Sequence, residues 1–352
     1  MSSVATNPID ELREPIARLL ALAGIDASIT AVTPCAQGGN NRIFRVATPA
    51  GIFAAKQYFR HPNDARDRLA AEFAFLNYAR SAAPGATPQP YACDPSSGIA
   101  LYEFVEGLPL QPGQIDAARV ATAIVFFRAL NAPQARAAAV LPQASEACFS
   151  IGEHCALIAG RIARLREVDP RSDADAEAQR LIGELDARWR ELAQQIRADA
   201  HGAGLDVDAP LTLARRCVSP SDFGFHNALA EASGEIKFVD FEYAGWDDPA
   251  KAAGDFFAQL ALPVPQELFG HFVAEIARDF DGADELRVRA ELLRPAYQIK
   301  WCCIALNVFL PVHLARRRFA NHGLDEQALK QAQYAKAKTL FQSVRIPAHG
   351  LC

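Results

Sequence analysis

The period of the hydrophobic pattern changes once along the chain, near Glu106, and no other feature limits the possible folds as strongly. Before that point the apolar residues come in short runs rich in β-branched and aromatic side chains: Ile29 to Val32, Arg42 to Ala47, Gly51 to Tyr58, Gln89 to Cys93 and Ile99 to Val105. Runs of this length and kind read as strands. Thr48-Pro49-Ala50-Gly51 separates two of them and predicts a hairpin turn. Two helices are expected among these strands. In Pro8 to Ala23, Ile9, Leu12, Ile16, Leu19 and Leu20 fall at helical spacing, and in Asn63 to Arg80, Leu69, Phe73 and Leu76 share a face. From Asp116 onward the pattern is helical, over Asp116 to Asn131, Ser145 to Val168, Ala174 to Ala198, Pro249 to Leu260, Gln266 to Phe280, Asp284 to Leu310 and Asp325 to Val344. Glu106-Gly107-Leu108-Pro109 reads as a hinge. The expected organisation is therefore α+β in two domains, a strand-rich one over residues 1–105 and a larger, mostly helical one over residues 106–352.

Composition narrows the function classes. Of 352 residues, 50% are hydrophobic and 22% charged, the globular average, which excludes a disordered, collagen-like or coiled-coil chain. A net charge of -5 gives no electrostatic drive toward nucleic acid or anionic lipid, so neither is expected as a partner and a small molecule is. The eight cysteines form no C-x-x-C pair and read as reduced thiols; Cys302 and Cys303, in the apolar run Trp301 to Leu310, read as small buried hydrophobes. Met1 to Asp10 lacks the basic start and apolar stretch of a signal peptide, and no run approaches the ~18 apolar residues of a membrane span. A soluble cytoplasmic protein is the expectation.

The helical part has one exception, Leu211 to Tyr243, and it carries the chemistry. It contains Ser219-Pro220-Ser221-Asp222-Phe223-Gly224-Phe225-His226-Asn227 and, after a hairpin signal at Ser233-Gly234, Ile236-Lys237-Phe238-Val239-Asp240-Phe241-Glu242. With the turn at Ser233-Gly234, Asn227 and Asp240 flank the open end of one hairpin. An amide oxygen and a carboxylate are what a hard cation such as Mg²⁺ takes, with water and phosphate completing its shell. Asp222 lies on the loop just before them.

Upstream, Gln37-Gly38-Gly39-Asn40-Asn41 is a Gly-rich turn between two strands, where missing side chains let backbone N–H groups approach a phosphate. Lys56 stands inside the apolar strand Phe53-Ala54-Ala55-Lys56-Gln57-Tyr58, and a lysine is rarely buried without a partner. Glu72, inward on the next helix, is the candidate. At about 4 Å such a pair gains roughly 4 kcal/mol of Coulomb energy at an effective dielectric near 20, which desolvation can cancel, so the pair reads as a positioning device.

In this order of parts the sequence resembles the eukaryotic-kinase-like small-molecule kinases, the aminoglycoside phosphotransferase and choline kinase group. The resemblance runs from about Gln37 to Phe257 and takes in the Gly-rich turn, Lys56, Glu72, the hinge Leu101-Tyr102-Glu103-Phe104-Val105-Glu106-Gly107, the loop Asp222 to Asn227, Asp240-Phe241-Glu242 and the tract Gly245-Trp246-Asp247-Asp248-Pro249 with Asp255 behind it. It implies a protein-kinase-like two-lobed fold and an ATP- and Mg²⁺-dependent transfer of phosphate to a hydroxyl of a small metabolite. Asp222 would orient the acceptor hydroxyl and take its proton, while Asn227 and Asp240 would bind Mg²⁺. Gly38, Gly39, Asn40 and Lys56, the last held by Glu72, would bind the phosphates, and the carbonyl of Glu103 and N–H of Val105 would bind adenine. One departure stands out: the group usually has His two residues before the catalytic Asp, and this chain has Pro220.

The acceptor pocket is the least constrained element. Glu242, Trp246, Tyr297 and Trp301 are its candidates, and the neutral, aromatic character of the last three favours a sugar or polyol over an amino alcohol or aminoglycoside. Tyr297 and Trp301 also fit a helical core stripe, Asp248 fits a helix cap before Pro249, and His226 fits a hydrogen-bonding structural role. Two other readings compete: a catalytically silent kinase fold serving as nucleotide-binding scaffold or sensor, and transfer of AMP to a protein.

Overall fold

Alternation of buried and half-buried residues along the early strands builds the first layer. The computed structural model describes residues 10–35, 41–61, 66–321 and 323–345. Helix α1 (Asp10–Leu22) precedes β1 (Ala31–Pro34), β2 (Arg42–Thr48) and β3 (Gly51–Gln57), then come α2 (Arg68–Ala82), β4 (Pro90–Asp94), β5 (Ile99–Glu103) and β6 (Gly107–Pro109). The first five strands form an antiparallel sheet in the order β1-β2-β3-β5-β4. Leu12, Ile16, Leu19 and Leu20 of α1 pack with Phe44, Val46, Phe53, Ala55, Ile99 and Leu101 of the sheet. Successive strand residues point to opposite faces, so Lys56, next to Ala55, points away from that core. Helix α2 covers Lys56, with Glu72, Phe75, Leu76 and Ala79 buried along it.

The remaining elements are α3 (Ala117–Leu130), α4 (Pro133–Ala138), α5 (Ile151–Leu165), α6 (Asp173–Gly202), β7 (Cys217–Ser219), β8 (Ala228–Glu231), β9 (Ile236–Phe238), β10 (Gly245–Asp247), α7 (Pro249–Ala258), α8 (Phe269–Ala277), α9 (Ala283–Leu306), α10 (Pro311–Ala320) and α11 (Glu326–Ser343). The chain divides into two compact units, neither of them one continuous stretch. The first comprises Met1–Pro109, Ala228–Tyr243 and Ala315–Leu324, the second Leu110–Asn227, Ala244–Leu314 and Asp325–Cys352. In the first unit β6, β8 and β9 make a small antiparallel sheet. In the second, α9 is the central helix, with α5, α6, α7, α8 and α11 packed on it. Its buried residues include Ala290, Leu293, Ala296, Tyr297, Cys302 and Cys303.

Several boundaries differ from the sequence expectation, for local reasons. Helix α2 begins at Arg68, where the Asp67 carboxylate accepts from Ala70 N–H; Asn63 lies outside the described residues. Helix α5 begins at Ile151 rather than Ser145 because Ser150 and Glu153 form a reciprocal capping box. Just before the expected start, Pro142 to Ala144 pair with β10, Trp246 N–H donating to Pro142 O and Ala144 N–H to Trp246 O, and a turn at Ser145 and Glu146 follows. Helix α10 was not anticipated: the expected continuous helix to Leu310 ends at Leu306, a single tight turn follows, and Pro311 starts a new helix where its missing N–H costs nothing. The seven cysteines among the described residues are free thiols, five of them buried. No single helix among the described residues is long and apolar enough to cross a membrane.

Candidate active site

In the first unit the site is built around Lys56. Its ammonium donates to Glu72 Oε2 and to Asp240 Oδ1, each at 2.6 Å. Glu72 is held from other sides as well: Tyr58 donates to Oε2 at 2.7 Å, Tyr58 and Tyr102 share a hydrogen bond at 2.7 Å, and Phe241 N–H reaches Oε1 at 3.3 Å. Phe241, between Asp240 and Glu242, stacks on Phe75 of α2 with ring centroids 4.5 Å apart, which fixes the segment against the helix that carries Glu72. Asp240 has a left-handed backbone, φ 68°, a conformation Asp tolerates better than most residues and one that turns the chain as β9 ends.

The charge balance is unequal. Burial by itself would drive the Lys56 pKa down, but Asp240, Glu72 and Glu242 outweigh it and hold the ammonium well above the ordinary lysine range. Asp240 is displaced upward, first by burial and then by the carboxylates of Glu242 and Glu72, with Lys56 opposing. Glu242 has partners of its own: Asn41 Nδ2 donates to Oε2 at 2.6 Å, and Arg68 Nε stands 3.7 Å from the same atom. Asn41 in turn accepts from Phe59 N–H at 3.1 Å. Among the described residues no group of three or more His, Cys, Asp or Glu side chains is placed to hold a metal ion by itself, so a divalent cation beside Asp240 would have to draw most of its oxygen shell from phosphate and water.

Glu103 closes β5 and donates its N–H to Gln89 O at 2.8 Å, while its carboxylate pairs with Lys237. Val105 lies in the irregular stretch between β5 and β6. Gly38, Gly39 and Asn40 lie outside the described residues.

The second unit holds the loop around Asp222. Asn131, at the end of α3, grips β7 on both sides of one residue, accepting from Val218 N–H at 2.8 Å and donating to Val218 O at 3.0 Å. Beyond β7, Ser221 is left-handed (φ 66°) and its N–H donates to Ser219 Oγ at 3.0 Å. Phe223 and Phe225 then sink into an aromatic cluster, with ring centroids 4.9 and 5.6 Å from Phe256. The polar residues that flank them, Asp222 on one side and His226 and Asn227 on the other, bond to one another. Asp222 Oδ1 accepts from His226 Nε2 at 3.2 Å, and Asp222 O accepts from Asn227 Nδ2 at 2.9 Å. Burial works to raise the Asp222 pKa, but His226, the bonds from His226 and Asn227, and the Lys300 charge together keep its carboxyl below the usual range. The Asn227 amide nitrogen is committed to Asp222, so Oδ1 is the atom of its side chain that this bond leaves as an acceptor. Asn227 directly precedes β8 and Asp240 follows β9 by two residues, and β8 and β9 pair as the hairpin expected from Ser233-Gly234.

The other acidic residues of the second unit are consumed internally. Asp247 pairs with Lys251, and Asp248 caps α7, pairs with Arg289 and accepts from His154 Nε2 at 3.0 Å. With that tautomer His154 Nδ1 accepts the Tyr297 hydroxyl at 2.5 Å, and Tyr297 is fully buried. Asp255 binds Lys300 through both oxygens at 2.8 Å. Thus the structure places Tyr297 and Glu242 in the interior, bonded to neighbours, rather than on an open wall. Trp301 is 8% exposed and Trp246 half-buried. Sequence reading passed over Lys300, Lys251, Asn131, Tyr58 and Tyr102. Lys300 had the same signal as Lys56, a lone charge in an apolar run.

Comparison with known proteins follows the same lines. A model of the phosphotransferase enzyme family (APH) matches residues 31–292. A search of curated proteins finds no match. Among solved structures, a choline/ethanolamine kinase family protein from Mesorhizobium loti is 18% identical with a TM-score of 0.54, 95% of each chain being covered. Plasmodium vivax ethanolamine kinase is 13% identical with a TM-score of 0.57, covering 98% of this chain and 92% of that one. A macrolide 2′-phosphotransferase from Brachybacterium faecium is 15% identical with a TM-score of 0.54, covering 95% and 99%. These likenesses establish a shared kinase-like fold, and the match over most of its length places this chain in the phosphotransferase enzyme family, among the small-molecule kinases.

Proposed function

We propose that the protein transfers the γ-phosphoryl group of ATP to a hydroxyl of a small, uncharged metabolite, a sugar or polyol. The observation that carries the reading is Lys56, shared at 2.6 Å between Glu72 and Asp240. An ammonium so anchored on two sides cannot swing away, so it offers a fixed positive charge to the α/β-phosphates. Asp222, tied by His226 and Asn227, is the carboxylate assigned to the acceptor hydroxyl and its proton, and its lowered pKa keeps it ionised at neutral pH. Glu103 O and Val105 N–H are assigned to adenine, and Gly38, Gly39 and Asn40 to the phosphates. By the family resemblance, Asp240 and Asn227 are the oxygen donors assigned to Mg²⁺. When bound, Mg²⁺ would neutralise phosphate charge.

The preference for an uncharged acceptor rests on the partners of the acidic residues. A cationic acceptor needs carboxylates to receive it, yet Asp247, Asp248, Asp255 and Glu242 are all buried and matched by Lys251, Arg289, Lys300 and Arg68. Trp246 and Trp301 remain as candidates for the acceptor wall, where an aromatic face suits a sugar ring. The test is ADP release from Mg-ATP with pooled sugars and polyols, amino alcohols and aminoglycosides. Acceptor-dependent ADP from the first pool is expected. A response confined to amines removes the neutral-acceptor reading, and tight nucleotide binding with no response to any pool favours a nucleotide-binding scaffold.

A further inference from the structure

We infer that His226 is a positioning residue for Asp222 and that the missing side chain of Gly224 gives its ring a seat. The inference rests on the catalytic role proposed for Asp222. With a carboxylate as acceptor, His226 Nε2 carries the hydrogen that bridges to Asp222 Oδ1 at 3.2 Å. A Cβ added at Gly224 would stand 2.6 Å from His226 Nδ1 and 2.8 Å from Cε1, closer than real Cβ contacts come, so the ring lies directly against the bare Cα. On another side Trp301 meets the imidazole edge to face, with centroids 6.3 Å apart and planes at 83°. Trp301 is itself fixed by its indole N–H, which donates to Asp255 Oδ1 at 2.8 Å.

The other ring nitrogen is what separates this role from a structural one. His226 Nδ1 is buried and has no hydrogen-bond partner among the described residues. A histidine kept only to stabilise a loop gains most when both nitrogens are paired, as His154 shows with Asp248 and Tyr297. His226 instead has one polar contact, to the carboxylate. Asn227 holds the Asp222 backbone and His226 holds its side chain, so together they fix the direction in which the second carboxylate oxygen points. For phosphoryl transfer, in which the protein mainly positions groups, that direction governs turnover more than binding.

The experiment compares wild type with His226→Ala, His226→Gln, Gly224→Ala and Asp222→Asn, using Mg-ATP with water as the acceptor. His226→Ala and Gly224→Ala are each expected to lower kcat about 10- to 100-fold with KM for ATP within about two-fold, at a temperature where each variant is fully folded. His226→Gln, whose amide can donate the same bond, is expected to recover most of the rate. Wild-type kcat in His226→Ala, where Asp222→Asn has lost it, overturns the inference and leaves the proposed function standing. Wild-type kcat in Asp222→Asn overturns the proposed role of Asp222 and the inference with it. Wild-type kcat in Gly224→Ala overturns the seat assigned to the ring. Nitrogen-15 correlation spectra of the imidazoles of the wild-type protein give a readout independent of turnover: the Nε2–H tautomer of His226 is expected, and an Nδ1–H tautomer overturns the inference.

Discussion

The indole N–H of Trp301 and the ammonium of Lys300, adjacent residues on α9, both donate to Oδ1 of Asp255, each at 2.8 Å. One carboxylate thus satisfies two buried donors, and Lys251 approaches its other oxygen at 3.5 Å. Burial pushes Lys300 below the ordinary lysine range, with Asp255 opposing. Asp255→Ala leaves Lys300 charged and unpaired in the interior, which we expect to cost about 3–5 kcal/mol, read from urea unfolding. Adding Lys300→Met should recover a large part of the loss. Equal stabilities for Asp255→Ala and wild type would mean that water already solvates Lys300.

Asp222→Asn keeps the shape of the side chain and removes its charge. We expect turnover to vanish while ATP affinity, measured by calorimetry, stays within a few-fold of wild type. Retained turnover would take Asp222 out of the mechanism.

Lys56→Met removes the ammonium but leaves Glu72 and Asp240 in place. Loss of one well-placed electrostatic contact typically costs about 10²- to 10³-fold in rate, and that is the fall expected in kcat/KM for ATP. Glu72→Gln retains a hydrogen-bonding partner for Lys56, so a smaller fall is expected. The reverse ranking would show that Glu72 acts otherwise than through Lys56.

Acid should weaken the second unit through Glu146. Burial would raise its pKa, but Arg161, Lys300 and Lys251 outweigh it and lower the value to about 2. Because the folded value lies below the unfolded one, near 4.3, the stabilisation is complete above the unfolded pKa and is lost as pH falls toward the folded one. Glu146→Gln should therefore flatten the decline of the unfolding midpoint between about pH 4 and pH 2. An unchanged decline would assign the acid sensitivity to other carboxylates, such as Asp248, whose pKa Arg289 and His154 also hold down against burial.

Gly245 starts β10 at a close approach of two backbones. A Cβ there would lie 2.4 Å from Pro142 O and 2.6 Å from Ala144 N, main-chain atoms that cannot rotate away. Gly245→Ala should destabilise by about 1–3 kcal/mol, the usual range for overpacking. A midpoint equal to that of wild type would mean that the Pro142 segment yields freely.

What could be read before the structure was whatever leaves a local trace. Lys56 and Glu72 were legible because a charge inside an apolar pattern demands a partner, and the hairpin after Asn227 because Ser233-Gly234 lies between two short strands. Lys300 left the same trace and went unread, since a Trp-Cys-Cys run after it looks like plain core. Asn131 and Tyr58 were beyond reach in another way. Their partners Val218 and Glu72 lie 87 and 14 residues away, and nothing in an Asn at a helix end or a Tyr at a strand end says what it will meet. The start of α5 was misplaced although its signal was present: Ser150 and Glu153 spell a capping box inside a stretch whose apolar content reads as helix throughout.

The discontinuity of the first unit has a consequence for how the protein is made. Its sheet strands emerge first from the ribosome, but the β8–β9 hairpin belongs to Ala228–Tyr243 and a further piece to Ala315–Leu324. The late piece is tied in by Arg42, whose Nε donates to Phe319 O across 277 residues and whose guanidinium stacks over the Phe319 ring. Native contacts so distant in sequence cannot form until translation is nearly finished, and closing such large loops slows folding. A nascent chain halted after Pro109 would display β6 still waiting for β8, the kind of unpaired edge on which chaperones act.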